Sequence, residues 1–473
     1  MIPQASSPSG VIARYVTVAV LTALLIAGTA LPGIAQLFGG FDVKKERELG
    51  EQFDHLVRSK MALVEDPEIV SYITELVSDI ARHMPPQPWP IKVGVLRQSA
   101  LNAFAGPAGH MFVFTGLIAN LESEDELAAV IAHELAHVSQ RHIAKKIEKA
   151  QLVGLAAMLG TLAGVFLGSE GGQALAYGSQ AAGQAAMLNY SREDEREADD
   201  VGFQYLRAAG YNPEGMVRSF KILKSKQWLM GSSFPGYLST HPALAERIGY
   251  LEDRIATLGK MPAYKSDNSR FLRIRTLVRA WLMDEQMSLA FYEGEQAGKS
   301  CLDKMGRGIV LGRLNRVAEA RQAFAQALEC GGDNPLILRE AGRFLFGVGD
   351  FEGSAKHLQK VILLNPNDMV AMFFYARILA DKGDLRHGID YLERVSSALP
   401  LDSEVRLTLG RMYGQAGDYF KAHLNLAYGA LYSNNASQAK FHQDKARALA
   451  SSENDRRELN LFEVSLKQRS RFW

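Results

Sequence analysis

Gly349-Asp350-Phe351, Gly383-Asp384-Leu385 and Gly417-Asp418-Tyr419 stand 34 residues apart, and no other feature constrains the fold of the C-terminal part as tightly. Leu358, Leu392 and Leu426 keep the same period, with Phe324 one period upstream. Gly308, Gly342, Ala376 and Gly410 also fall on it, followed in the last three by Arg343, Arg377 and Arg411. Pro366 and Pro400 close two of the units. Several independent positions sharing one period imply helix pairs that bury their apolar faces only against neighbouring copies, which is an α-solenoid.

A 34-residue unit with a small residue in its first helix and Gly-Asp at the inter-helix turn resembles the tetratricopeptide repeat. The whole chain, at 473 residues, is too long for one core. A formal charge of +1 gives no electrostatic case for nucleic acid. At the N-terminus, Arg14 precedes an apolar run from Tyr15 to Ala27, and Gly28-Thr29-Ala30 and Gly33-Ile34-Ala35 resemble signal-peptidase sites. Export with removal of residues 1–35 is expected, with an uncleaved signal anchor as the alternative. Cys301 and Cys330 are the only cysteines. An exported chain with two permits one disulfide; two separate buried thiols is the plainer reading.

Between these ends, Ile69, Tyr72, Ile73, Leu76 and Ile80 recur at helical spacing. Pro85 to Pro90 breaks the pattern, Ile91 to Leu96 alternates as a strand, and Met111 to Thr115 is a second strand candidate after the Pro107-Ala108-Gly109 turn. From Asp125 the chain reads as helix. Ala150 to Met187 is rich in Ala and Gly, and Leu152 to Gly168 carries no charge over 17 residues, with Gly160, Gly164 and Gly168 four apart. That length is short for a membrane span, so a buried or hairpin helix is expected, with membrane contact as the alternative. The Ala/Gly-rich stretch after Gly171 could act as a lid over the site.

The chemistry begins at His133-Glu134-Leu135-Ala136-His137. Two histidines four apart on a helix project from one face and supply half of a tetrahedral zinc shell. Glu134 beside them can act as general base toward water activated by that metal. Gln140 and Ile143 stand where a metzincin needs Gly and His, which excludes that class. A third ligand is therefore expected from a second helix, opened by Ser191-Arg192-Glu193-Asp194-Glu195 and running through Asp199. Glu195 is the candidate ligand, and Asp199, four further on, would orient a ligand histidine. Glu193 and Glu197 point elsewhere and are expected in solvent. His142, five past His137, is expected at the surface.

Asn102-Ala103-Phe104-Ala105, Thr115-Gly116-Leu117, His133 to His137, Ser191-Arg192 with Glu195 to Asp199, and Ser239-Thr240-His241-Pro242 with Arg247-Ile248 together resemble the gluzincin metallopeptidases that include HtpX and the CAAX prenyl protease. The resemblance implies Glu195 as third zinc ligand, Asp199 as its helix partner, and one Zn2+ per chain. It further implies His241 near the metal and Arg247 beside it as catalytic groups. Asn102 and an edge strand at Met111, Phe112, Val113 and Phe114 would bind substrate backbone. An export segment joined to repeats resembles the periplasmic branch of that family, which acts on misassembled outer-membrane proteins.

The expected fold is therefore α+β: a mostly helical zincin domain with a small β-sheet, followed by an all-α tetratricopeptide-repeat solenoid. The expected division is a signal peptide at 1–35, a metalloprotease domain at 41–260, a helical connector at 261–300, repeats at 301–450 and a helical tail at 451–473. The expected function is zinc-dependent endopeptidase of the periplasm, in quality control and assembly of outer-membrane β-barrels. Expected partners are unfolded outer-membrane proteins and, through the repeats, the β-barrel assembly machinery, with peripheral membrane contact as a further option. A chaperone or scaffold with a silent site, and an integral-membrane protease, are the competing readings.

Overall fold

The computed structural model describes residues 42–149, 158–160, 162–163, 190–226, 237–258, 264–265, 267–294 and 300–469. The expected signal peptide, most of the uncharged Leu152–Gly168 stretch and the Ala/Gly-rich stretch after Gly171 lie outside these residues. No helix among the described residues is long and apolar enough to cross a membrane.

Two helices open the chain. α1 (Val43–Lys60) is capped by Asp42, and α2 (Pro67–Ala81) by Asp66 with proline at its first turn, where a missing N–H costs nothing. The apolar residues read at helical spacing, from Ile69 to Ile80, all face inward. A three-stranded sheet follows: β1 (Lys92–Leu96), β2 (Ala103–Ala105) and β3 (His110–Phe114), in the order β1-β3-β2. β1 runs parallel to β3, with Val93 opposite Met111, and β2 runs antiparallel, with Phe104 opposite Phe112. Alternation along β3 sends Met111 and Val113 into one core with α2, and Phe112 and Phe114 into another with α1 and Phe104.

The order corrects the expected edge strand. β3 is central and paired on both sides, so the backbone at Met111 to Phe114 has no free edge to offer a substrate. Just ahead of β2, the Asn102 backbone carbonyl accepts from the Phe114 N–H at 3.0 Å. β2, paired on one side within the sheet, is the short edge beside the helices that follow.

Those helices are α3 (Thr115–Asn120), α4 (Glu124–Ser139), α5 (His142–Lys149), α6 (Arg192–Ala208), α7 (Glu214–Lys226), α8 (Tyr237–Thr240) and α9 (Leu244–Ala256). α4 is buried along its length and begins with a capping box between Ser123 and Glu126. α6 begins with another, between Ser191 and Asp194. The two helices cross at Gly202. A Cβ there would lie 3.0 Å from the Ala132 carbonyl oxygen and 3.1 Å from His133 Cα, tighter than an ordinary contact, so the glycine suits this close approach.

α10 (Ser269–Leu282) and α11 (Glu285–Glu293) lead to five antiparallel helix pairs. These are α12 (Cys301–Arg313) with α13 (Val317–Gly331), α14 (Pro335–Gly347) with α15 (Phe351–Leu364), and α16 (Met369–Asp381) with α17 (Leu385–Ala398). α18 (Ser403–Gln415) with α19 (Tyr419–Tyr432), and α20 (Ala436–Leu449) with α21 (Glu453–Arg469), complete them. The Gly-Asp turns explain their own period. Gly349, Gly383 and Gly417 adopt φ of 80°, 86° and 86°, and Asp350, Asp384 and Asp418 cap the next helix by accepting from a backbone N–H. The small residues receive the large ones: a Cβ on Gly308, Gly342 or Gly410 would come within 2.9, 2.9 or 2.8 Å of Phe324, Leu358 or Leu426. Cys301 and Cys330 form a disulfide between α12 and α13, which settles the choice left open by the sequence.

The solenoid is joined to the first part by packing as well as by the chain. One continuous core runs from Ile69 and Leu127 through Phe271, Ile274 and Val278 of α10 to Met305, Ile309, Phe324 and Leu336 of the repeats. At its margin Arg339 is buried, donating to Glu68 of α2 at 2.7 Å and to Glu340 at 2.9 Å. Glu340 in turn accepts from the Trp281 indole at 2.9 Å. Burial opposes the Arg339 charge, but Glu340, Asp368 and Glu68 hold the guanidinium firmly protonated.

Candidate metal centre

His133 and His137 project from α4, Glu195 from α6, and His241 from the turn after α8, and their ligand atoms all lie within 4.8 Å of one another. The two Nε2 atoms of His133 and His137 are 3.0 Å apart, and each is 3.5 Å from a Glu195 oxygen. His241 Nδ1 is 2.9 Å from Glu195 Oε1. All four side chains are buried.

Carboxylates and a guanidinium brace this cluster from behind. Asp199 Oδ1 accepts from His133 Nδ1 at 2.9 Å, which leaves the His133 Nε2 lone pair facing its neighbours. Arg247 donates to Asp199 from Nε at 2.7 Å and Nη2 at 2.6 Å, and to Glu195 from Nη1. Tyr250 also donates to Asp199. Burial alone would raise both carboxyls. Their partners overcome it, Arg247 and the His133 N–H holding Asp199 at about 2, and His241 with Arg247 holding Glu195 well below the usual range. Arg247 was expected to face the reaction; instead its fork is occupied by two carboxylates, and it positions them.

Glu134 is different. Burial pushes its carboxyl up to about 8, against the nearby His133 and with the Glu195 charge adding to the rise. Beyond the adjoining Ala105 backbone, neither of its oxygens has a hydrogen-bond partner, and neither does His241 Nε2, which faces Glu134 Oε1 at 3.3 Å. Buried polar atoms are rarely left so. Two imidazole nitrogens 3.0 Å apart with converging lone pairs, a carboxylate and orphaned polar atoms alongside are together the donor set that a divalent cation satisfies. The residues fit a metal.

Aromatic rings wall the centre. Tyr190 stacks on His137 with centroids 3.7 Å apart, Tyr237 stacks on His241 at 4.2 Å, and Phe220 meets His133 edge-on at 6.1 Å. Neither tyrosine stands out in the sequence, because Tyr190 lies just ahead of α6 and Tyr237 opens the four-residue α8, too short to show a period. His142, expected at the surface, is instead fully buried with Nδ1 2.7 Å from His137 Nδ1. Extrapolating α4 by five residues put it off the ligand face. The helix breaks at Arg141, whose φ of 52° is left-handed, and α5 returns His142 toward the site.

Residues 64–255 match the model of peptidase family M48. The segment is an M48 peptidase domain. The gluzincin resemblance read from the motifs therefore holds at the level of this family, and the family is one of metallopeptidases. Among relatives, the chain is 25% identical over 330 residues to the beta-barrel assembly-enhancing protease of Yersinia pestis, covering 68% of this chain and 66% of that protein. It is 27% identical over 239 residues to the Escherichia coli protein of the same name, covering 50% and 49%. It is 29% identical over 193 residues to the metalloprotease LoiP of Escherichia coli, covering 41% and 73%. The chain thus spans about half to two thirds of the length of the assembly-enhancing relatives. YrrB, a solved tetratricopeptide protein with an unusual peptide-binding site, is 21% identical, with a TM-score of 0.30 over 37% of this chain and 91% of its own. The repeat assignment does not rest on that likeness; it rests on the helix pairs themselves.

Proposed function

We propose that this chain is a zinc-dependent endopeptidase, exported to the periplasm, that acts on misassembled outer-membrane β-barrel proteins. The observation that carries the reading is the buried convergence of His133, His137 and Glu195 beside the fully buried Glu134. His133, His137 and Glu195 would hold the ion. When bound, zinc polarises the scissile carbonyl and makes the attacking water more acidic. Glu134 takes the proton from that water and delivers it to the leaving amine. Asp199 and Arg247 hold His133 and Glu195 in register. His241, lying between Glu195 and Glu134, occupies the approach to the site in this conformation; it must turn aside for substrate and can then face the developing oxyanion.

Substrate backbone is assigned to the edge of β2 at Ala103 to Ala105 rather than to β3, because Ala105 lies against Glu134. The names of the assembly-enhancing relatives support the substrate class, and the repeats supply a surface for those proteins or for the assembly machinery. The test compares Glu134→Gln with wild type on an unfolded protein such as casein, with and without a chelator, alongside the zinc content of the purified protein. Zinc at one per chain, loss of cleavage in the variant and loss with chelator are expected. Cleavage that persists in Glu134→Gln refutes the mechanism, and repeats that rescue outer-membrane assembly equally well in that variant would favour a scaffold.

A further inference from the structure

We propose that His142 and Glu197 form a positioning relay that fixes the tautomer of His137 and so its competence to bind a cation. The inference rests on the metallopeptidase reading above.

His137 offers its two nitrogens to two different surroundings. Nε2 faces the donor cluster, 3.0 Å from His133 Nε2 and 3.5 Å from Glu195 Oε1. Nδ1 faces His142 Nδ1 at 2.7 Å, and His142 Nε2 reaches Glu197 Oε2 at 3.1 Å. A neutral imidazole carries one proton, on one nitrogen or the other. A nitrogen that gives its lone pair to a cation cannot carry it, so His137 holds its proton on Nδ1. His142 Nδ1 then accepts that proton's hydrogen bond, the His142 proton sits on Nε2, and Glu197 accepts in turn. The opposite assignment puts a proton from His137 into the donor cluster, where it blocks a cation, and sets a bare His142 nitrogen against the Glu197 carboxylate, lone pair against lone pair.

The fold is arranged to hold this geometry. The left-handed Arg141 turns α5 back so that His142 is buried against His137, and Tyr190 stacked at 3.7 Å keeps the His137 ring from swinging. The two ligand imidazoles are thus braced differently. His133 meets a carboxylate directly at 2.9 Å, whereas His137 meets one through a second imidazole, and that carboxylate, with 46% of its side-chain surface exposed, faces solvent.

Partners of this kind change metal affinity by about 10- to 100-fold. His142→Phe removes the acceptor, His142→Gln keeps one at a similar reach, and Glu197→Ala removes the terminal acceptor. Zinc affinity is measured by competition with a chromophoric chelator, and imidazole 15N shifts of the metal-free wild type report the tautomers. The expected results are a loss of about 10- to 100-fold for His142→Phe, substantial recovery in His142→Gln, and a smaller loss for Glu197→Ala, whose place water can take. His137 should be protonated on Nδ1 and His142 on Nε2. Wild-type zinc affinity in His142→Phe overturns the proposal, as does the reversed tautomer pair. Should the phenylalanine variant fail to fold, the 15N assignment decides. A wild type that binds no zinc overturns the metallopeptidase reading, whereas wild-type affinity in the variants with cleavage still lost in Glu134→Gln overturns the relay alone.

Discussion

Gly202 allows a direct test of how the metal centre is assembled, because two opposing effects meet there with comparable size. Replacing a helical glycine by alanine ordinarily stabilises by about 0.8–1 kcal/mol through helix propensity. At Gly202 the new Cβ would lie 3.0 Å from the Ala132 carbonyl oxygen and 3.1 Å from His133 Cα, both backbone atoms that cannot rotate away. It is short of ordinary contact by a few tenths of an ångström, and overpacking of that kind costs about 1–3 kcal/mol. The balance is a net loss of about 0–2 kcal/mol. Gly249 supplies the control: it lies inside α9, and a Cβ there meets nothing within 4 Å. Gly249→Ala should raise the melting temperature of the peptidase by about 2–4 °C, whereas Gly202→Ala should leave it level or lower it. Gly202→Ala should also weaken metal retention, because α6 carries Glu195 and Asp199 and must lift away from the helix bearing His133. The measurements are thermal unfolding and chelator competition on the two variants side by side. If Gly202→Ala stabilises as much as Gly249→Ala and retains its metal, the close approach of α4 and α6 does not set the site.

Three further outcomes follow, two from the packing between the peptidase and the repeats and one from the first repeat itself. Burial raises the Glu68 carboxyl, but Arg273 and Arg339 overcome it, so its pKa is lowered from 4.5 on folding. The stability it contributes is complete above about pH 4.5 and is lost as the pH falls through the folded value; unfolding between pH 6 and 3 should therefore show a shallower acid slope in Glu68→Gln, and an unchanged slope would count against it. Arg339→Met leaves Glu68, Glu340 and Asp368 without their shared cation and should cost about 3–5 kcal/mol in urea unfolding; wild-type stability would show the pairing to be dispensable. Reducing the Cys301–Cys330 disulfide, whose cysteines are 29 residues apart, should destabilise the first repeat by about 3–4 kcal/mol in the loop-entropy account, seen as faster amide exchange confined to α12 and α13.

What the sequence made legible was what repeats or obeys helical spacing. The 34-residue period reported the solenoid because each small residue on it receives a large side chain, as Gly342 does Leu358. His133 and His137 declared a common face because α4 is regular through both. What failed depended on events that spacing does not encode. β2 is three residues, Ala-Phe-Ala, too short to alternate visibly. Strand order is a tertiary property, so a strongly apolar β3 read as an edge when it is the centre. His142 was lost to a single left-handed residue, Arg141, whose type gives no warning of that backbone. Arg247 carried the right address but not its partners, which come from α6, 48 and 52 positions earlier.

The continuous interior that joins Leu127 to Phe271 and on to Met305 and Leu336 has a consequence for biosynthesis. Translation delivers His133 and Glu195 well before the residues that finish the core behind them. A nascent or truncated chain ending ahead of the repeats would carry every ligand yet lack part of the apolar wall against which α10 is seated. Seating of α10 thus depends on α12 to α14, which are made after it, so a chain cut ahead of them is left with exposed apolar surface.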